Sequence, residues 1–371
     1  MPTSNDVATD RRTTDVVLIG DGIIGLSTAL ELERRGARCI VFGVQRPGVA
    51  SFAAAGLLAP SIGQLAPAAW SFFEASLALY PALLEALAEF DAGLTLMTGL
   101  LVVSEAVSDA SDNAEPAGGG QRMSPERVHQ LEPGVRAPHG AVVHPSEGAI
   151  DNVRLMAALR RAVESSPGIE LVTGAPVSSV DVARGRVTVT NASGAAATAP
   201  CAILAAGAWS PQVRGLPRPL PVAPLKGQML ALDTCPLGRP VVGNGVYLVP
   251  RGTETIVGST SEDAGFDVST TPQAVDRLRA AATAVCPGLG VSGPPRAWAG
   301  LRPATPDMLP ILGPDPDHPE LLYATGHSRN GILLAPATAA AVADLAVGRR
   351  PSLDVSGFGI ARFGVVRKAL T

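Results

Sequence analysis

The alternation of apolar and polar positions first becomes regular at Val16–Gly20, a short β-branched apolar run. A glycine turn follows, and apolar residues then recur with helical spacing through Ile24–Arg35. Cys39–Phe42 reads as a second strand, giving β-α-β order and therefore a parallel pair. Further on, the pattern predicts a helix over Trp70–Phe90, with Leu77, Leu83, Leu84 and Leu87 on one side. It also predicts a strand at Leu100–Ser104, a helix at Asn152–Ser165 and strands at Glu170–Val172, Arg186–Thr190 and Cys201–Ala205. From about Pro221 the runs shorten to Gly227–Leu232, Gly245–Pro250 and Thr255–Gly258, alternating as in an antiparallel sheet. A helix at Pro272–Val285, a buried strand at Leu321–Thr325 and a helix at Gly331–Val347 complete the chain, with no internal repeat.

Parallel β-α-β material at both ends, with antiparallel strands between, predicts the α/β class. The expected architecture is a Rossmann-like dinucleotide domain assembled from discontinuous segments, with an antiparallel β-rich substrate domain inserted into it. The expected segments are 15–90, 145–215 and 297–371 for the first and 91–144 with 216–296 for the second. Residues 1–14 read as a flexible arm, and the polar, Gly-rich Ser108–Gln121 reads as a mobile surface loop.

Composition narrows the function classes. With 46% hydrophobic and 17% charged residues, 371 residues suffice for one large core or two domains sharing an interface. A net charge of −4 and scattered basic residues argue against a nucleic-acid partner. The four cysteines form no CxxC pair and the five histidines show no ligand spacing, so no metal site is expected. The N-terminus has no apolar stretch like a signal h-region, and Gly331–Val347 is broken by Pro336 and Asp344. No membrane span is expected, and a reducing cytoplasm is the default location.

Gly20-Asp21-Gly22-Ile23-Ile24-Gly25 matches GxGxxG after a strand and at the opening of a helix. The first glycine permits a tight turn, the second admits phosphate oxygens to the backbone, and the third lets helix and strand pack closely. The unit should end in Asp or Glu to hold the adenosine ribose, but Gly43 stands there, and no acidic residue occurs between Glu33 and Glu74. Arg46 lies just beyond. An absent acid with a nearby Arg is also the pattern of an NADP site, which leaves a reductase as an alternative.

Four further tracts stand in order: Ala53–Pro60, Cys201–Ser210, Gly300-Leu301-Arg302-Pro303 and Gly326–Pro336. With Pro224–Leu230 and Tyr247–Arg251, they closely resemble the D-amino acid oxidase superfamily, and within it the glycine oxidases of thiamine biosynthesis. The resemblance runs from about Asp15 to Val347. It implies noncovalent FAD held by the first domain, a small amino acid or amine as substrate, O2 as oxidant, and a homo-oligomer, a tetramer by resemblance.

Residue by residue, the resemblance gives Arg302 as the bidentate clamp on the substrate carboxylate, a geometry that guanidinium supplies and ammonium does not. Tyr247 corresponds to a carboxylate-contacting tyrosine. Arg329 lies near substrate and flavin, and Leu57 stands where Met commonly meets the substrate. Cofactor contacts are expected from Gly20, Gly22, Ile23, Ile24 and Gly25 at the turn, then from Gly43, Val44, Arg46 and Ser51. Ala54, Ala55 and Gly56, with Leu57, would pass close to a flat ring system. Val177 matches a valine whose backbone meets the adenine, while Ala206, Gly207, Trp209 and Gly300 would let the backbone approach the cofactor. His327 contacts it through its backbone and has no acid–base role. Ser328, Arg329 and Asn330 lead to Gly331, Ile332 and Leu333, the opening of a helix whose positive end could face the flavin. Ser328 replaces a frequent bulky aromatic, which would suit an N-substituted glycine or another secondary amine.

Overall fold

A computed structural model describes residues 11–62, 67–104, 116–291 and 293–364. Its central element is a six-stranded sheet in the order Ile311–Pro314, Leu321–Thr325, Cys201–Leu204, Val16–Ile19, Cys39–Phe42, Ile169–Val172. Five strands are parallel and the Ile311–Pro314 edge is antiparallel. Because side chains alternate across a strand, each strand feeds two cores. Val16, Leu18, Cys39 and Val41 pack under the helices Ile23–Arg34, Asn152–Ser165 and Gly331–Ala346. Val17, Ile19, Ile40 and Phe42 pack against a small four-stranded sheet on the other face. That small sheet includes Arg11–Thr13, paired with residues 196–198, so the expected arm is a strand from residue 11; residues 1–10 lie outside the described residues.

The other large sheet follows the order Arg296–Ala304, Ala223–Leu232, Glu254–Gly258, Val246–Arg251, Val241–Gly243, Leu96–Val103, Ala141–Ile150, Leu57–Leu58. It is antiparallel except where Val241–Gly243 runs parallel to Leu96–Val103. Helix Pro272–Val285 covers one face, its N-terminus capped by the Thr271 hydroxyl accepting from the Ala274 N–H. The expected α/β class with a Rossmann-like unit and an antiparallel sheet is therefore present. Ala141–Ile150 and Arg296–Ala304 run in the antiparallel sheet, so the expected segment boundaries at 145 and 297 fall within its strands.

Two local expectations need correction. The helix expected over Trp70–Phe90 is two helices, Pro67–Ala78 and Tyr80–Leu87, because Pro81 cannot continue the backbone ladder. Its leucines do face the core: Leu87 is buried, and Leu77, Leu83 and Leu84 pack against the same cluster. Of the loop expected at Ser108–Gln121, residues 108–115 lie outside the described residues; Ala117–Gly119 form a 3-10 turn and Gln121 opens a short strand.

The long helix Gly331–Ala346 contains Pro336, which has no N–H to give the Ile332 carbonyl. The buried Tyr80 hydroxyl donates to that carbonyl instead. Ser76 bridges the next gap, its hydroxyl donating to the Leu333 carbonyl (2.7 Å) and accepting from the Ala337 N–H (3.2 Å). The two helices expected as one thus complete the ladder of the helix that ends at the site.

Candidate active site

Where the two large sheets meet, the C-terminal ends of the parallel strands open into a cavity of about 670 Å³, within the range of small-molecule and cofactor sites. Gly20, Gly22, Ile23 and Ile24 line it, and Gly20 adopts φ +118°. A Cβ on Gly20 would come within 2.7 Å of the Ala205 carbonyl carbon, and one on Gly25 would overlap the Gly20 carbonyl. Only glycine permits this packing. Gly25 itself does not line the cavity: it acts by letting the helix seat against the turn. The helix has no side-chain cap and no acidic residue in its first turn, so its positive end faces the cavity.

The loop Ser51–Gly56 forms one wall, and its backbone is pinned from three sides. Asn152 Nδ2 donates to the Ser51 carbonyl (2.8 Å), Arg251 Nη2 to that of Ala55 (2.8 Å) and Trp298 Nε1 to that of Ala53 (2.9 Å). Ser51 in turn accepts from the Ile23 N–H at 3.0 Å, tying this wall to the glycine turn. Sequence reasoning missed all three pinning residues. Asn152 sits in a helix read only for its periodicity, Arg251 closes a tract read for its resemblance without a role of its own, and Trp298 lies just before the Gly300–Pro303 tract.

The expected substrate residues Arg302, Tyr247, Arg329 and Leu57 line the same cavity. Arg302 lies on strand Arg296–Ala304, and its guanidinium donates to the Thr260 carbonyl (3.1 Å) and the Ser259 hydroxyl (2.5 Å). These bonds use one N–H on each terminal nitrogen, so donors remain on a guanidinium that lines the cavity. Gly227, on the neighbouring strand, leaves room for it: a Cβ there would come within 2.5 Å of Arg302 Cζ. Gly258 does the same for Tyr247, where a Cβ would come within 2.5 Å of the ring. The Tyr247 hydroxyl lies 3.7 Å from Met229 Sδ, and Leu57 and Met229 add apolar surface to the cavity wall. Gly258 was visible in the sequence only as a strand residue, and Gly227 as one position of the Pro224–Leu230 tract with no role of its own.

Most other expected residues line the cavity: Gly43, Val44, Arg46, Ala54, Val177, Ala206, Gly207, Gly300, Asn330, Gly331 and Ile332 among them. Trp209 carries Arg46 Cζ at 5.2 Å from its ring centroid and Phe266 at 5.6 Å. Leu333 is buried in the helical core and is not among the lining residues. Arg329 lines it and donates to the Ile62 carbonyl at 3.3 Å. Buried His327 meets the Thr338 hydroxyl at 3.1 Å, and burial pushes its ring down to about 3, so it stays neutral. Among the described lining residues the charged groups are Arg46, Arg302, Arg329 and a single carboxylate, Asp21. That balance favours an anionic cofactor and an anionic substrate. Among the described residues no cluster of His, Cys, Asp or Glu could hold a metal, and no helix is long and apolar enough to cross a membrane.

A close-packed glycine turn, two helix N-termini and a cavity lined by both and by Arg302 fit a dinucleotide carrying a flat ring. The comparisons agree. The chain is 36% identical over 94% of its length to the bifunctional protein ThiO/ThiG of Nostoc sp., and it spans about half (55%) of that relative's own length. It is 35% identical to the glycine oxidase of Pseudomonas aeruginosa, covering 91% of this chain and 96% of that one. The crystal structure of glycine oxidase from Geobacillus kaustophilus superposes with a TM-score of 0.86 at 29% identity, covering 95% and 99% of the two chains. These findings overturn the NADP reductase alternative, and Arg46 is accounted for by its stack on Trp209. From the first strand of the glycine turn to the helix that ends at the cavity, residues 15–345 match the FAD-dependent oxidoreductase (DAO) family, to which this chain belongs.

Proposed function

We propose that the chain oxidises glycine, or an amino acid of similar size, to the imine and passes the electrons to O2. The observation that carries this reading is that Arg302 lines the same cavity as the glycine turn and keeps donors beyond its two protein bonds. FAD would supply the hydride acceptor, and the glycine turn, the Ser51–Gly56 loop and the Gly331 helix end are the groups that would hold it. Arg302 holds the carboxylate bidentately and Tyr247 adds a hydroxyl, which fixes the direction of the Cα–H bond. Leu57 and Met229 shed water from the reacting carbon. With burial making His327 a weak base and Asp21 of the glycine turn the one carboxylate among the described lining residues, the amine reacts in its neutral form and hydride leaves Cα directly. The imine then hydrolyses to the 2-oxo acid and ammonia, and O2 leaves as hydrogen peroxide.

A second reading rests on Ser328, a buried residue at φ +49° whose hydroxyl lies 3.7 Å from Met308 Sδ on the cavity wall. A small side chain there leaves room for an N-substituent, which suits an N-substituted glycine or other secondary amine. A peroxide-coupled screen over glycine, sarcosine, D-alanine and larger N-substituted glycines separates the two. Highest kcat/KM on glycine supports the first reading, a clear preference for a bulky N-substituent supports the second, and no peroxide from any of them overturns both. The same reading extends to a homo-oligomer working in the reducing cytoplasm, supported by four free cysteines, and to two domains divided as the two large sheets are.

A further inference from the structure

Gly43 closes the strand Cys39–Phe42 at the position from which dinucleotide folds of this kind usually send a carboxylate to the adenosine ribose. The structure fills that volume from another direction. Val16–Ile19 and Cys39–Phe42 pair in parallel, and the Gly20 N–H donates to the Phe42 carbonyl at 2.8 Å, so the glycine turn lies beside residue 43. A Cβ placed on Gly43 would come within 2.6 Å of the Asp21 Cβ and nearer still to its carboxyl group. Asp21 therefore turns away from the phosphate-facing backbone and occupies the space that a side chain at 43 would use. Its carboxylate accepts from the Val44 N–H (3.2 Å) and faces Arg160 Nη1 (3.3 Å), with 13% of the side chain exposed. Both Asp21 and Gly43 line the cavity.

We propose that Asp21 is the ribose-binding carboxylate of this chain, moved from the strand end into the glycine turn, with Gly43 as its necessary counterpart. The proposal rests on the FAD reading above. An ionised carboxylate has about four acceptor sites. Val44 and Arg160 take two and fix its direction, leaving acceptors for the vicinal ribose hydroxyls. The exchange also removes the electrostatic conflict of an acid in a phosphate-binding turn, because Arg160 neutralises it and the Val44 N–H holds it aside.

The test is a flavin-fluorescence titration of full-length protein stripped of flavin, using FAD and an FAD analogue whose adenosine ribose lacks the 2′-hydroxyl. Wild-type protein is expected to bind FAD about 10- to 100-fold more tightly than the analogue, the worth of one hydrogen bond to a charged group. Asp21→Ala should lose a similar factor for FAD and no longer distinguish the two ligands. Asp21→Gly combined with Gly43→Glu should restore both affinity and discrimination, which a general folding defect would not. Discrimination that survives Asp21→Ala, or a double variant that binds as weakly as Asp21→Ala, overturns the assignment. Wild-type protein that binds FAD without regard to the 2′-hydroxyl overturns it alone. Wild-type protein that takes up no FAD overturns the functional reading together with it.

Discussion

Arg302 and Gly227 sit diagonally across an antiparallel strand pair, and the guanidinium lies in the space a side chain at 227 would fill: a Cβ there would come within 2.7 Å of Nη1. The residue that meets substrate is thus positioned by a residue that has no side chain at all. Gly227→Ala should push the guanidinium off its Thr260 and Ser259 partners. A displacement of about 1 Å can cost on the order of 10²-fold in rate. Steady-state kinetics with glycine should show that loss in kcat/KM, while FAD affinity stays at the wild-type value. A variant with unchanged kcat/KM would show that Arg302 tolerates the crowding.

The Tyr80 hydroxyl replaces the N–H that Pro336 withholds from Ile332. Tyr80→Phe keeps the ring and leaves that buried carbonyl unpaired, which costs about 1–3 kcal/mol. Urea unfolding of the two proteins should show a lower midpoint for the variant with an unchanged slope. Equal midpoints would mean that the carbonyl finds another donor.

His327 titrates lower in the folded protein, about 3, than the 6.5 of an exposed ring, because burial disfavours its charged form. Above pH 6.5 the ring is neutral in both states and contributes nothing to pH dependence. As pH falls below 6.5 the unfolded chain takes up the proton first, so stability is lost, by up to about 1.4 kcal/mol per pH unit. Between pH 6.5 and 5, wild-type protein should lose up to about 2 kcal/mol more than His327→Gln in urea titrations. Parallel stability curves for the two proteins would place the proton elsewhere.

Burial raises the thiols of Cys39 and Cys201 to about 12, and Cys286 is buried as well, while Cys235 is half-exposed. Since the thiolate is the reactive form, an aromatic disulfide reagent at pH 8 should label Cys235 first in the folded protein. The other three thiols should react only after unfolding. Rapid modification of Cys39 or Cys201 in the native state would contradict the packing of these strands.

Much of this architecture was legible in the chain. The β-α-β unit showed because glycines at 20, 22 and 25 break a clean apolar periodicity, and Arg302 and Tyr247 stood in recognisable tracts. Ala141–Ile150 did not show, because Pro145, Ser146 and Gly148 interrupt its apolar run. The strand absorbs them where its register with Leu96–Val103 shifts between Thr98 and Leu100, a bulge that excuses proline from the ladder. The break near Leu79 was hidden because leucines continue on both sides of it. Gly43 looked like a defect in the dinucleotide motif, while Asp21 stood as one position of the GxGxxG match. Only the parallel pairing of their strands shows that one fills the space of the other.

The central claim is that Arg302 orients a small amino acid for hydride loss to FAD. Anaerobic mixing of the FAD-loaded protein with glycine, followed at the visible flavin band, tests it without O2 or product release. Wild-type protein should bleach with saturable dependence on glycine, and Arg302→Ala, loaded with FAD to the same extent, should keep its oxidised spectrum at the same concentrations. Bleaching of Arg302→Ala with the wild-type rate and glycine dependence would contradict the claim.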